Sequence, residues 1–131
     1  EKKRKSFKEI LDMQRKKTGK LFNFCCYSAG VVAKRNNRIK KELSSLGEDI
    51  GLLFQLADDF LDIKGSKKII GKPIKKDKKK GKSTLINLIG YKKAEIFANK
   101  LKTDILRRLF KHGKKANNLI KTVEFIINRN F

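Results

Sequence analysis

FQLADDFLDIKG, Phe54 to Gly65, is the stretch that decides how this chain is read. It sets Asp58, Asp59 and Asp62 inside an apolar run with helical spacing, in a chain of formal net charge +22. Carboxylates four residues apart on a helix repel one another. A carboxylate that leaves water without a partner is strongly destabilising. The three acids therefore require a cation, and the residues around them indicate which kind.

Outward from this stretch, Ile39 to Ile63 reads as one long helix. At about 100° per residue, Gly47, Gly51, Gln55, Asp58 and Asp62 fall within one narrow arc, with Asp59 at its edge. Leu46, Ile50, Leu53, Phe54, Ala57, Phe60 and Leu61 cover the opposite arc. Helices that are apolar around most of their circumference are buried. The pattern predicts a central helix whose small and acidic stripe lines a cavity, with the carboxylates at the mouth.

Apolar spacing is helical almost throughout, and no strand-like alternation persists. A short helix is predicted over about Ser6 to Met13, and a largely apolar one from Thr18 to Ala33, interrupted near Thr18-Gly19. KRNNR, Lys34 to Arg38, reads as a polar connection. The segment from Lys64 to Lys82 holds several glycines, the only proline and a dense lysine run, and it reads as one long loop. Unstructured loops of that length in compact domains are usually functional or disordered. Two amphipathic helices follow, Tyr91 to Lys111 and Lys115 to Arg129. His112, between them, reads as a capping or solvent-facing residue.

At 131 residues the chain is one domain's worth, or part of a larger one. With 35 Lys and Arg against 13 Asp and Glu, an anionic partner is implied: nucleic acid, anionic lipid or a phosphorylated small molecule. Cys25 and Cys26 are adjacent and are the only cysteines, which excludes a disulfide framework; they read as buried packing residues. No apolar run reaches membrane-spanning length. The N-terminal EKKRKSFKEIL has no signal-peptide apolar region, so a cytoplasmic setting is expected. The first residue is Glu1 and the only methionine is Met13, from which a preceding segment is expected.

Taken alone, DDFLD is either an exposed acidic turn neutralised by lysines or a hard-cation site. Mg²⁺ prefers carboxylate oxygens and commonly bridges to substrate phosphates, and Asp58 and Asp62 offer two carboxylates on one face. GKPIKKDKKKGKST, Gly71 to Thr84, ends in a nucleotide-loop-like GKST. Lys76 stands where that motif needs its first glycine, and no strand precedes it, so the nucleotide reading fails. What remains is lysine and carboxylate-bound metal facing each other, an arrangement that grips a diphosphate from two sides.

KKTGKL, GEDIGLLFQLADDFLDIKG, GKPIKKDKKKGKST and the terminal EFIINRNF together resemble the C-terminal portion of trans-polyprenyl diphosphate synthases, most nearly bacterial farnesyl and geranylgeranyl diphosphate synthases. The resemblance spans residues 1–131. It implies an all-α fold, the C-terminal part of an isoprenoid-synthase-type helical bundle with one long lysine-rich loop. DDFLD resembles the family's second aspartate-rich motif. By the resemblance, Asp58 and Asp62 bind Mg²⁺ with Asp59 in support, and a complete family site holds three Mg²⁺ ions. Lys17 and Thr18 contact the allylic diphosphate and Gln55 lies beside the reacting centre. Lys72 and Lys82 close over the diphosphate, Asp77 matches an acidic loop position, and Arg129 approaches the second diphosphate.

The implied reaction is prenyl transfer, in which an allylic diphosphate (dimethylallyl or geranyl) ionises and isopentenyl diphosphate attacks the resulting cation. A homodimer is implied for the complete enzyme. The family's first aspartate-rich motif is not found in these residues, so the 131-residue chain alone is expected to be catalytically silent. Two alternatives stand beside this reading. One is a non-catalytic subunit or remnant of a split synthase. The other is a basic nucleic-acid-binding protein, although no aromatic stacking set or groove-entering helix is visible and no specific nucleic acid is expected.

Overall fold

Ser6 starts the first helix. Its hydroxyl accepts from the Glu9 N–H (3.3 Å) while the Glu9 carboxylate accepts from the Ser6 N–H (2.7 Å), a complete capping box. That backbone hydrogen bond holds the Glu9 carboxyl below its usual value. The computed structural model describes residues 5–70 and 84–128, residues 66–70 by their backbone. Within it, α1 (Phe7–Gln14) runs into a π-helical turn (Arg15–Gly19) and then into α2 (Lys20–Val32). α3 (Asn37–Ile70), α4 (Leu85–Ile89) and α5 (Tyr91–Phe110) follow, then a 3₁₀ turn (Gly113–Ala116) and α6 (Asn117–Asn128). Every regular element among the described residues is helical, in agreement with the all-α expectation.

α3 is the axis of the fold and packs against each of the other five α-helices. Leu52, Leu56 and Phe60 on it have no solvent exposure, and Ile50 and Leu53 almost none. Burying each such side chain stabilises the fold by roughly 1.5–3 kcal/mol. They meet Ala94, Ala98, Ile105 and Leu109 of α5, with Val123 and Ile126 of α6. The Tyr91 ring stands edge-on to Phe60, with centroids 5.0 Å apart. A charge clamp reinforces the same junction. Asp49 of α3 accepts from Arg108 of α5 (2.8 Å) and from Arg15 of the π turn (3.4 Å).

Four expectations need correction. The helix expected to stop at Ile63 continues to Ile70, because Gly65 does not take the positive φ that ends a helix and is carried within α3. Residues 64–70 of the expected loop are therefore helical, and the rest of it, to Lys82, lies outside the described residues. Leu85–Ile89 is a short helix not foreseen, started by the Thr84 hydroxyl accepting from Asn87 N–H at 3.2 Å. Cys25 is exposed and Cys26 only half-buried, because α2 turns one face to α3 and leaves Leu21, Phe24 and Val32 outward with Cys25. The fourth concerns the glycines of the α3 stripe, which line no cavity. A Cβ on Gly47 would lie 2.5 Å from the Phe22 carbonyl oxygen, and one on Gly51 would lie 2.7 Å from the Gly19 Cα. They are the seat on which α2 and the π turn rest.

Candidate functional site

The seating of Gly19 on Gly51 places the π turn beside the α3 turn that follows. One turn further along α3 stands Gln55, and across from it Thr18 donates its hydroxyl to Gln55 Oε1 at 3.1 Å. π-helical turns inside α-helices are frequent at functional sites, and this one carries Lys17 and Thr18. Gln55 Nε2 in turn donates to Asp59 Oδ1 at 3.2 Å, and Gln14 Nε2 donates to Asp59 Oδ2 at 2.7 Å. The result is a continuous polar chain from α1 through α3 to the π turn.

A cleft of ≈ 620 Å³ opens over this chain. Lys17 and Thr18 form one wall and Gln55, Asp58 and Asp62 the other. Lys5, Met13 and Thr84 stand at its rim, and the Lys5 ammonium rests 3.1 Å from the Met13 sulfur. Asp58 is half-buried and Asp62 exposed, as residues at the open end of a stripe should be. Asp59, at the stripe's edge, lines the cleft as well. It is 7% exposed, and both its oxygens accept from amide side chains.

The sequence-predicted residues Lys17, Thr18, Gln55, Asp58, Asp59 and Asp62 thus meet at one cleft. Lys72, Asp77, Lys82 and Arg129 lie outside the described residues. Gln14 was not foreseen. Its signal was its place directly before the RKKTG turn, which apolar spacing does not reveal. His112 is exposed at the end of α5, away from the cleft residues, with its N–H on the Leu109 carbonyl.

Among the described residues no cluster of three or more His, Cys, Asp or Glu side chains is placed to hold a metal ion. Asp58 and Asp62 nevertheless supply what a magnesium ion takes from a protein when phosphate oxygens and water complete its shell, namely one or two carboxylates. The donor set fits Mg²⁺ on those terms, and it does not fit zinc or a soft metal.

An all-α bundle whose central helix presents Asp58 and Asp62 across an open cleft from Lys17 and Thr18 is the arrangement that the resemblance to isoprenyl synthases leads one to expect. The chain belongs to the polyprenyl synthetase family, whose model matches residues 1–124. The farnesyl diphosphate synthase of Micrococcus luteus is 32% identical over 114 residues, covering 87% of this chain and 39% of that protein. The dimethylallyltranstransferase of Fischerella ambigua is 34% identical over 113 residues, covering 86% of this chain and 33% of that protein. An FPP/GFPP synthase from Zymomonas mobilis superposes with a TM-score of 0.78 at 29% identity, over 96% of this chain and 40% of that one. The chain thus spans about two fifths or less of these relatives' length. No helix among the described residues is long and apolar enough to cross a membrane.

Proposed function

We propose that the cleft forms one wall of a trans-prenyl diphosphate synthase site, in which an allylic diphosphate is joined to isopentenyl diphosphate. The observation that carries this reading is the convergence of Asp58 and Asp62 with Lys17, Thr18 and Gln55 on a single cleft. Asp58 and Asp62 would hold Mg²⁺, whose charge, when it is bound, neutralises the departing diphosphate. Lys17, exposed on the facing wall, brings an ammonium group to the same diphosphate. Gln55 presents its carbonyl oxygen, already oriented by the Thr18 hydroxyl and Asp59, toward positive charge that develops as the allylic bond breaks. Lys72, Lys82 and Arg129 keep the diphosphate-binding roles that the family resemblance implies.

Asp59 takes a different part from the metal-supporting one the resemblance implies. With both oxygens engaged by buried amides, it serves as the group that orients them. The described residues offer one acidic pair, so the 131-residue chain by itself is expected to turn over no substrate.

The test is a hybrid in which this chain replaces the matching segment of the Micrococcus luteus farnesyl diphosphate synthase. The hybrid should condense an allylic diphosphate with isopentenyl diphosphate, and Asp58→Ala should lower its kcat by roughly a hundredfold or more. Turnover indifferent to Asp58→Ala would overturn the assignment.

A further inference from the structure

From Leu21 to Ala33 no residue carries a charge, although 37% of the chain is charged. Helices that are apolar around their whole circumference are buried, yet α2 is covered on one side only. Its inner side rests on α3. The Phe22 ring lies 5.8 Å from that of Phe54, Asn23 donates to the Ser44 hydroxyl at 2.7 Å, and a Cβ on Gly30 would lie 3.0 Å from the Leu43 side chain. On the opposite side Leu21, Phe24, Cys25, Val31 and Val32 share an arc of about 120°. Leu21 and Phe24 are 66% exposed and Val32 82%.

We propose that this outward face of α2 is a docking surface for the larger remainder of a synthase domain, the part of the relatives that this chain does not span. What docks there presents apolar, uncharged helices. Contiguous apolar patches mark interaction sites, whereas apolar residues scattered singly are ordinary. Ile96, Phe110 and Phe125 are exposed too, but each has a charged neighbour in Glu95, Lys111 or Glu124. Only the α2 face runs without a charge.

The choice of occupant follows from three observations. The same fold is seen over 96% of this chain within a longer structure, of which it makes up 40%. A helix that lies on a bilayer keeps a strongly charged face toward water, and the far side of α2 is instead packed on α3. A second copy would bring the same formal charge of +22, and net charges of one sign oppose association. α2 also continues directly from the π turn that carries Lys17 and Thr18, so helices docked on it come to stand beside the cleft. That last consequence rests on the prenyl-transfer reading, and the experiment separates the two.

Cys25, in the middle of the face, is the reporter. Iodoacetamide labelling is followed by peptide mass mapping in the free chain and in the hybrid with the Micrococcus luteus enzyme. Cys25 should react at least about tenfold more slowly in the hybrid. An equal rate in both would overturn the proposal. If the hybrid does not fold, co-expression decides: the chain and the remaining segment of the Micrococcus luteus enzyme, as separate polypeptides, should purify together. Phe24→Asp should abolish this, and Phe125→Asp, at an equally exposed site on α6, should not. Melting curves should show both variants of the free chain folded, because neither ring is covered; Val32→Asp repeats the test where Phe24→Asp unfolds. No co-purification with the wild type, or its loss in both variants alike, would overturn the proposal.

The other occupants give different results. A dimer of the free chain, or its binding to phosphatidylglycerol vesicles, that Phe24→Asp abolishes while Cys25 of the hybrid stays reactive would assign the face to a second copy or to a bilayer. Either would overturn the proposal. Cys25 protected in a hybrid whose turnover ignores Asp58→Ala would instead sink the prenyl-transfer reading and leave the docking surface standing.

Discussion

Gly51 of the central helix meets Gly19 of the π turn with no room for a side chain between them, since a Cβ on Gly51 would lie 2.7 Å from the Gly19 Cα. Gly47, one turn earlier, meets the Phe22 carbonyl oxygen in the same way. These contacts set the height of Thr18 against Gln55, and with it the width of the cleft.

Gly51→Ala and Gly47→Ala should therefore each destabilise the chain, although alanine is the better helix former. The propensity gain is about 1 kcal/mol. Overpacking typically costs about 1–3 kcal/mol, and here the clashing atoms are backbone, which gives way least. Chemical denaturation should show a net loss for both variants. Gly65→Ala is the control: nothing lies within 4 Å of a Cβ there, so it should be neutral or stabilising.

Much of this arrangement was legible beforehand, for identifiable reasons. The central helix was visible because Leu46, Ile50, Leu53 and Phe60 repeat at helical spacing on a helix whose remaining sides are also mostly apolar. Gln55, Asp58 and Asp62 fell on one arc, and all three line the cleft. The same arc misassigned Gly47 and Gly51, because a stripe of small residues reads alike whether it faces a cavity or a neighbouring backbone. Asp59 lies at the edge of that arc, as its helical angle places it, but the angle locates a residue only on the surface of its own helix and does not reveal a glutamine arriving from α1. Cys25 and Cys26 read as buried because they sit in an apolar segment, but apolar residues of that segment face outward too, Phe24 being 66% exposed.

Glu48 should make stability depend on pH. Lys20, 2.6 Å away, lowers the Glu48 pKa from its usual 4.5, with burial opposing and Asn23 assisting. A carboxylate whose folded pKa is depressed stabilises the fold fully above its unfolded value, and the contribution is lost as pH falls through the folded one. Lys20 is largely exposed and Glu48 partly so, and water screens the pair, so the effect is small, at most about 1 kcal/mol. Thermal melts of the wild type and Glu48→Gln should differ near neutral pH, and the difference should close as pH drops below 4.5.

The two cysteines should react in order. Cys25 is exposed on α2, whereas burial, and secondarily the neighbouring Cys25, pushes the Cys26 thiol up. Thiolate, not thiol, is the nucleophile. Limiting iodoacetamide at mildly alkaline pH, followed by peptide mass mapping, should find Cys25 alkylated well ahead of Cys26. Equal rates would mean that α2 packs differently.

The most direct test of the acidic wall is calorimetric titration of the chain with geranyl diphosphate, with and without Mg²⁺, in the wild type and in the Asp58→Asn/Asp62→Asn double variant. Binding should require Mg²⁺ and should weaken by at least roughly tenfold, about 1.4 kcal/mol, in the double variant. Affinity that is the same in both proteins, or that does not depend on Mg²⁺, would contradict the assignment of Asp58 and Asp62.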